Sequence, residues 1–95
     1  MGVTEVTLTG RLICRDAAES ARVAAHLPEH TRLTRAEPGC LTFEVQRTDD
    51  PLVWQVDERF ADAAAFEAHR ARAGASAWGQ QTQGIRRDYI IDGRR

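Results

Sequence analysis

Residues 40–60 read CLTFEVQRTDDPLVWQVDERF and contain two runs in which apolar and polar side chains alternate. The first run, residues 40–48, is expected to place Leu41, Phe43 and Val45 on one face. The second run, residues 52–60, is expected to share a face among Trp54, Val56, Glu58 and Phe60. A period of two is typical of β-strands, and the turn residues Asp-Asp-Pro separate the runs. The segment therefore predicts an antiparallel hairpin.

A strand and a helix are predicted before this hairpin. Residues 6–14 alternate in the same way, with apolar Val6 and Leu8 on one face. Asp16 and Glu19 have the spacing of a capping box, and Ala-rich sequence follows them. The helix is predicted from residue 17 to about residue 35, with a kink or a restart at Pro28. Residues 37–39, Glu-Pro-Gly, predict a tight turn.

Two helices and a strand are predicted after the hairpin. Asp62 caps a helix over residues 63 to about 72, in which Phe66, His69 and Ala73 point toward the sheet. Gly74 is expected to end that helix. Ser76 begins a short helix to about residue 83, and residues 85–91 form the last strand.

The order of these elements predicts an α+β, ferredoxin-like fold, β-α-β-β-α-β, with an antiparallel sheet. The 95 residues fit a single domain, residues 1–95. Both helices would cover one face of the sheet, and Val, Leu and Trp side chains are expected on the other. A second copy of the chain is the natural cover for such a face, so we expect a homodimer.

Composition excludes several classes of partner. The chain has 13 basic and 14 acidic residues, a net charge of −1 and no evident basic patch, which argues against nucleic acid. No apolar run approaches the roughly 18 residues of a membrane helix, and the N-terminus lacks a secretory signal. We therefore expect a cytoplasmic protein with neither nucleic acid nor a membrane as its partner. The arginine pairs at residues 86–87 and 94–95 are expected to be solvated.

Metal and disulfide chemistry are not expected. Cys14 and Cys40 lack the spacing of metal ligands, and two small buried thiols are the simplest interpretation. His26 and His30 are four residues apart, but Pro28 lies between them and no third ligand is evident. The sequence therefore predicts no bound metal.

Two motifs carry a resemblance that covers nearly the whole chain. Residues 37–45, EPGCLTFEV, and residues 58–69, ERFADAAAFEAH, together resemble the antibiotic biosynthesis monooxygenase family, which includes quinol monooxygenases and belongs to the dimeric α+β-barrel proteins. The resemblance implies a homodimer with a pocket in each subunit. In the family's enzymes it implies oxygenation without metal or flavin, so no cofactor is expected.

The sequence also departs from the family pattern. Many relatives have a second histidine in a Ser-Pro-His-Phe stretch shortly after the first, and residues 72–75 here are Arg-Ala-Gly-Ala. Mechanisms that need two histidines on that helix are therefore in doubt. Haem-degrading relatives have an iron-ligating histidine where this chain has Trp78 and Gly79, which argues against haem.

His69 and Glu58 are the candidate catalytic residues. The pKa of an unperturbed histidine is about 6.5, so His69 is suited to accept a proton at neutral pH. Its alternative is a structural role, a hydrogen bond that fixes the helix. Glu58 is expected to be half buried, where it either orients His69 or forms a structural ion pair with an arginine.

Aromatic side chains are expected to form the wall of a pocket for a small aromatic molecule. The candidate substrate-binding residues are Trp54, Phe43, Phe66, Trp78 and Tyr89. The favoured hypothesis is a cofactor-free monooxygenase of a quinol-type substrate. A non-catalytic dimeric binding or accessory protein is the alternative, and an isomerase on the same fold also remains open.

Overall fold

The computed structural model describes residues 4–93. Its elements are β1 (Val6–Ile13), α1 (Ala17–Arg35), β2 (Cys40–Arg47), β3 (Val53–Phe60), α2 (Ala63–Ala75), α3 (Ala77–Gln81) and β4 (Arg86–Asp92). The strands form one antiparallel sheet in the order β2-β3-β1-β4. The predicted ferredoxin-like α+β fold is confirmed, with α3 as a short addition before β4. The predicted tail arginines, Arg94 and Arg95, lie outside the described residues.

One apolar core lies between the sheet and the helices. The strands contribute buried side chains that include Leu12, Val56 and Phe60, and the helices contribute Val23 and Phe66. Each fully buried side chain of this size contributes roughly 1.5–3 kcal/mol to folding. The core therefore fixes the helices over one face of the sheet.

Side-chain caps set the beginnings of both long helices. The carboxylate of Asp16 accepts a hydrogen bond from the N–H of Glu19 at 3.0 Å, and that of Asp62 accepts one from Ala65 at 2.8 Å. The carboxylate of Glu19 turns back to accept the N–H of Arg15 at 2.7 Å. The predicted helix starts are thus confirmed, since each cap satisfies an N–H that has no partner within its helix.

The expected restart at Pro28 and the expected helix end at Gly74 are wrong. Helix α1 continues through Pro28 to Arg35 without a restart, and the alternative of a kink stays a prediction. Proline removes one N–H from the ladder, but the buried side chains of His30 and Thr34 hold the following turns against the core. Helix α2 passes through Gly74 to Ala75, because Gly74 does not have the positive φ of a terminating glycine.

A β-bulge corrects the expected face of Leu41. Cys40 pairs with Phe60 while Thr42 pairs with Arg59, so Leu41 is an extra residue in β2. Its insertion changes the alternation: Leu41 is 46% exposed, and Cys40 packs against the core in its place. The carbonyl of Phe43 in the same strand accepts two hydrogen bonds from the guanidinium of Arg35, at 2.8 and 3.2 Å.

The face of the sheet away from the helices is mainly polar, contrary to expectation. Thr9 pairs with Asp57 and donates a hydrogen bond to its carboxylate at 2.6 Å, while Arg59 donates to Glu5 at 2.8 Å. A Trp side chain was expected on this face, but Trp54 belongs to the core on the other face. The apolar face from which a homodimer was expected is therefore absent, and the homodimer stays a prediction.

None of the helices within residues 4–93 has both the length and the apolar character needed to span a membrane.

The close approach of β4 to Gly10 generates the first prediction. A Cβ at residue 10 would lie 2.1 Å from the carbonyl oxygen of Asp88 and 2.8 Å from the Cα of Tyr89. Gly10→Ala should lower the free energy of unfolding by about 1–3 kcal/mol in urea denaturation.

Gly74→Ala is the matched control, because a Cβ there meets nothing within 4 Å. Alanine in a helix is favoured over glycine by about 1 kcal/mol, so this variant should be slightly more stable than the parent. Equal destabilisation by the two substitutions would contradict the close contact.

Candidate functional site

A cavity of about 440 Å³ lies between the sheet and the helices. The strands line it with apolar Leu8, Phe43, Val45 and Val56 and with the polar side chains of Glu58 and Tyr89. The helices line it with His30, Phe66, His69 and Trp78. This volume and this mixture of apolar walls with a few polar groups are typical of a site for a small organic ligand.

Six of the seven candidate residues line this cavity. They are His69, Glu58, Phe43, Phe66, Trp78 and Tyr89. The seventh, Trp54, is placed elsewhere: its indole N–H donates to the Ser20 hydroxyl at 3.1 Å, and the guanidinium of Arg47 lies over its ring. Trp54 pairs with Leu12, four residues along β3 from Glu58, and belongs to the core under α1.

His69 is buried on α2 between two carboxylates. Its Nδ1 lies 3.1 Å from Oε1 of Glu37, within hydrogen-bond distance, and its Nε2 lies 3.8 Å from Oε1 of Glu58. A carboxylate accepts the Nδ1–H, which leaves Nε2 as the unprotonated nitrogen of the neutral ring. The basic nitrogen therefore faces Glu58 and the cavity.

Glu37, in the turn after α1, is the group that orients His69. Its other oxygen accepts a hydrogen bond from Nε of Arg72 at 2.5 Å, and Arg72 also donates to the hydroxyl of Thr34 at 3.0 Å. The orienting function was expected of Glu58, and Glu37 was not predicted as a site residue. Glu37 is the first residue of the motif at 37–45 and lies three residues before β2. This position was the one feature of the sequence that could have indicated a role for it.

Burial shifts the pKa values of His69 and Glu58 in opposite directions. It lowers the pKa of His69, although the charge and hydrogen bond of Glu37 oppose this. It raises the pKa of Glu58 from 4.5 to about 7, with the charge of Glu37 adding to the effect. Near neutral pH the imidazole is thus neutral and the carboxyl of Glu58 is close to its midpoint, so the pair can take up one proton.

Glu58 has no arginine partner in the part of the chain that the structure describes. Among the described residues its one potential ion-pair partner within 4 Å is the imidazole of His69, and Arg87 acts on it only through longer-range attraction. The alternative of a structural ion pair with an arginine is therefore not observed. A buried carboxyl without such a partner is a common feature of functional sites.

His30 is a cavity residue that the sequence analysis did not assign. Its ring stacks on Trp78 with centroids 4.4 Å apart and an interplanar angle of 1°, and burial lowers its pKa to about 3. Helical spacing could have predicted its burial, because Val23, His30 and Thr34 lie on the same buried face of α1.

Tyr89 and Arg87 form the β4 side of the cavity. Burial raises the pKa of Tyr89 to about 12, so its hydroxyl stays protonated and can donate a hydrogen bond. Arg87 is exposed, as expected, and its guanidinium also donates to the carbonyls of Thr82 and Ile85 at 3.1 Å and to the Thr82 hydroxyl at 3.0 Å. These bonds hold a positive charge beside the cavity.

The residues of the described segment 4–93 contain no group of three or more His, Cys, Asp or Glu side chains arranged to hold a metal ion. Both cysteines are free thiols, as expected, with Cys14 buried and Cys40 partly buried.

Comparison with known proteins gives one family match. The model of the antibiotic biosynthesis monooxygenase family matches residues 14–81 of the chain. No curated protein sequence matches significantly.

Solved structures with the same fold cover almost the whole chain. SnoaB, a cofactor-independent oxygenase from Streptomyces nogalater, is 17% identical, with a TM-score of 0.77, over 97% of this chain and 94% of that one. Rv0793 from Mycobacterium tuberculosis is 21% identical, with a TM-score of 0.72, over 93% and 92%. PA3566 from Pseudomonas aeruginosa is 24% identical, with a TM-score of 0.69, over 94% and 90%. The TM-scores establish that the fold is shared, and at identities this low the likeness shows the fold alone.

The raised pKa of Glu58 predicts a pH-dependent stability. Between pH 4.5 and about pH 7 the folded protein keeps a proton on Glu58 that the unfolded chain has lost. The contribution of Glu58 to the free energy of unfolding therefore falls as pH rises through this window. Glu58→Gln removes that loss. The free energy of unfolding of the variant, relative to that of the parent, should therefore rise by about 2–3 kcal/mol between pH 4 and pH 8.

Urea denaturation at several pH values measures this difference. Asp49→Asn, which changes an exposed carboxylate between β2 and β3, is the control and should stay within about 0.5 kcal/mol of the parent. A Glu58→Gln variant that follows the parent's profile would show that Glu58 titrates normally.

Proposed function

The chain belongs to the antibiotic biosynthesis monooxygenase family, and on this premise we propose that it is a cofactor-free monooxygenase of a small aromatic, quinol-type substrate. The observation that carries the proposal is His69, buried at the cavity with Nδ1 bonded to Glu37 and Nε2 directed to Glu58. It supplies an oriented base beside an apolar space of about 440 Å³.

Such a reaction draws its electrons from the substrate. Deprotonation of a hydroquinone gives an electron-rich anion that reacts with dioxygen to form a carbon–oxygen bond. The O–O bond then breaks, one oxygen atom stays on the ring and the other leaves as water. The hydroquinone and one O₂ thus give a hydroxyquinone and one H₂O, with the substrate oxidised by four electrons and dioxygen reduced by four.

His69 is the proposed base. Its Nε2 takes the proton from the substrate hydroxyl, and the imidazolium that forms is stabilised by the carboxylate of Glu37 at 3.1 Å. Arg72 holds that carboxylate in place from the other side. Glu58, with its pKa of about 7, lies 3.8 Å from Nε2 and is suited to pass the proton on.

The aromatic lining is the proposed binding surface. Phe43, Phe66 and Trp78 are buried side chains that can contact the faces and edges of a substrate ring. The Tyr89 hydroxyl is available to a second substrate oxygen. A substrate ring that fills the space between these walls would displace water from the reacting carbon.

Oxygen uptake is the test of this proposal. Purified protein, freed of metal and flavin, is supplied with a panel of hydroquinones and anthrones, and uptake is measured above autoxidation. His69→Asn should lower the protein-dependent rate by about 10²–10⁴-fold, because it removes the general base.

His26→Asn is the matched control, since His26 lies on α1 outside the cavity lining, and it should keep the parental rate. Uptake that survives His69→Asn unchanged would remove His69 as the base. No uptake on any substrate would contradict the oxygenase and favour a non-catalytic protein that binds small molecules in the same cavity.

We also propose that the whole chain acts as one domain, as a homodimer, in the cytoplasm. Ile90 on β4 is 71% exposed and Leu41 at the bulge is 46% exposed, and large apolar side chains at sheet edges favour association. Free thiols are typical of a reducing compartment.

Sedimentation velocity at micromolar concentration tests the homodimer. The parent should sediment as a dimer, and Ile90→Asp should shift it toward monomer because a charge replaces an apolar contact. Ala25→Asp, at an exposed position on α1, is the control and should leave the dimer intact. A monomeric parent would contradict the proposal.

A further inference from the structure

We propose that His30 donates a hydrogen bond to the same phenolic oxygen from which His69 removes a proton, so that the two imidazoles together form a binding site for a phenolate. The inference rests on the proposed function for its substrate class and assigns a second catalytic residue to that cavity.

The ring of His30 is held rigidly at the cavity. It is 4% exposed, stacks on Trp78 at 4.4 Å and makes a T-shaped contact with Phe43, with centroids 5.2 Å apart and an interplanar angle of 84°. Contacts on two sides leave the ring little freedom to rotate. A group fixed in this way is already oriented for a ligand.

The buried nitrogen of His30 decides its tautomer. Nδ1 is sealed inside the protein and has no hydrogen-bond partner within the described residues. A neutral imidazole carries one N–H and one lone pair, and an orphaned buried N–H is rarely tolerated. The proton is therefore assigned to Nε2, the nitrogen left to reach the cavity that the ring lines.

The two histidines then offer complementary groups. His69 presents the lone pair of Nε2, because its Nδ1–H is bonded to Glu37, whereas His30 presents an Nε2–H. Their ring centroids are 5.8 Å apart. Two rings this close that line the same cavity can be reached by one ligand oxygen through hydrogen bonds of roughly 2.8 Å.

One phenolic oxygen satisfies both rings. Its O–H donates to His69 while its lone pair accepts from His30. After the proton moves to His69, the phenolate oxygen accepts hydrogen bonds from both imidazoles. A fixed donor aimed at a developing oxyanion is an effective form of transition-state stabilisation.

The charges around the cavity agree with this assignment. Burial first, and then the charges of His69, Arg72 and Arg87, lower the pKa of His30, so the ring stays a neutral donor. Among the described residues two carboxyl groups near the site would repel a phenolate. Glu37 has the guanidinium of Arg72 beside it, and Glu58 is mainly protonated below its pKa of about 7. The binding test therefore belongs near pH 6.

The probe is 4-nitrophenol, whose phenolate has its own visible absorption band. Each protein is titrated with the dye near pH 6, and both the affinity and the bound phenolate fraction are measured. His30→Phe keeps an aromatic ring against Trp78 but removes the N–H, and it should weaken phenolate binding by about 10-fold. His30→Gln keeps a donor and should recover part of this loss.

Two controls separate hydrogen bonding from packing. His26→Phe makes the same chemical change one turn earlier on α1, outside the cavity lining, and should match the parent. 4-Nitroanisole has a similar shape without an acidic hydroxyl, and its affinity should be the same for the parent and His30→Phe.

The inference is overturned if His30→Phe binds the phenolate as the parent does, if 4-nitroanisole loses as much affinity as the phenol, or if the parent shows no saturable binding. Oxygen uptake is not part of this measurement. Phenolate binding through His30 without oxygen consumption would support this site and contradict the proposed oxygenase. Oxygen uptake without phenolate binding would support the oxygenase and contradict this site.

Discussion

The ion pair between Arg72 and Glu37 is the contact on which the arrangement of the cavity depends. Arg72 lies on α2 and Glu37 in the turn after α1, and a third partner, Thr34, lies in the last turn of α1. The pair thus ties α2 to the connection between α1 and β2. It also holds the carboxylate that orients His69. Because the pair is partly buried, loss of either member would leave a charge in a place that water reaches poorly.

Two carboxylates on either side of one imidazole behave differently because their surroundings differ. Glu37 has an arginine beside it, whereas Glu58 has apolar walls, and burial raises its pKa to about 7. The first can stabilise a positive imidazole, and the second can hold or release a proton. Environments that separate two similar groups in this way are how a single site supports proton transfer in both directions.

Much of the fold followed from alternation and capping, while the site followed only in part. Alternation assigned Glu58 and Trp54 correctly to one face, but it carries no information about distance along a strand. Four residues of strand separate them by roughly 13 Å, which places Trp54 away from the cavity. The bulge at Leu41 was equally invisible, because an inserted residue looks like any other in an alternating run. Helical spacing placed His30 on the buried face of α1, but its position at the cavity depends on stacking with Trp78. These two residues are 48 positions apart, and no local sequence pattern contains such a contact.

The bulge in β2 also gives the sheet two unequal edges. On the β2 side, Leu41 interrupts the ladder and the guanidinium of Arg35 already occupies the carbonyl of Phe43. On the other side, β4 pairs with β1 in an unbroken register. Edges blunted in the first way resist the addition of a further strand. Growth of the sheet by successive copies needs two open edges in each copy, so the partly occupied β2 edge works against such growth.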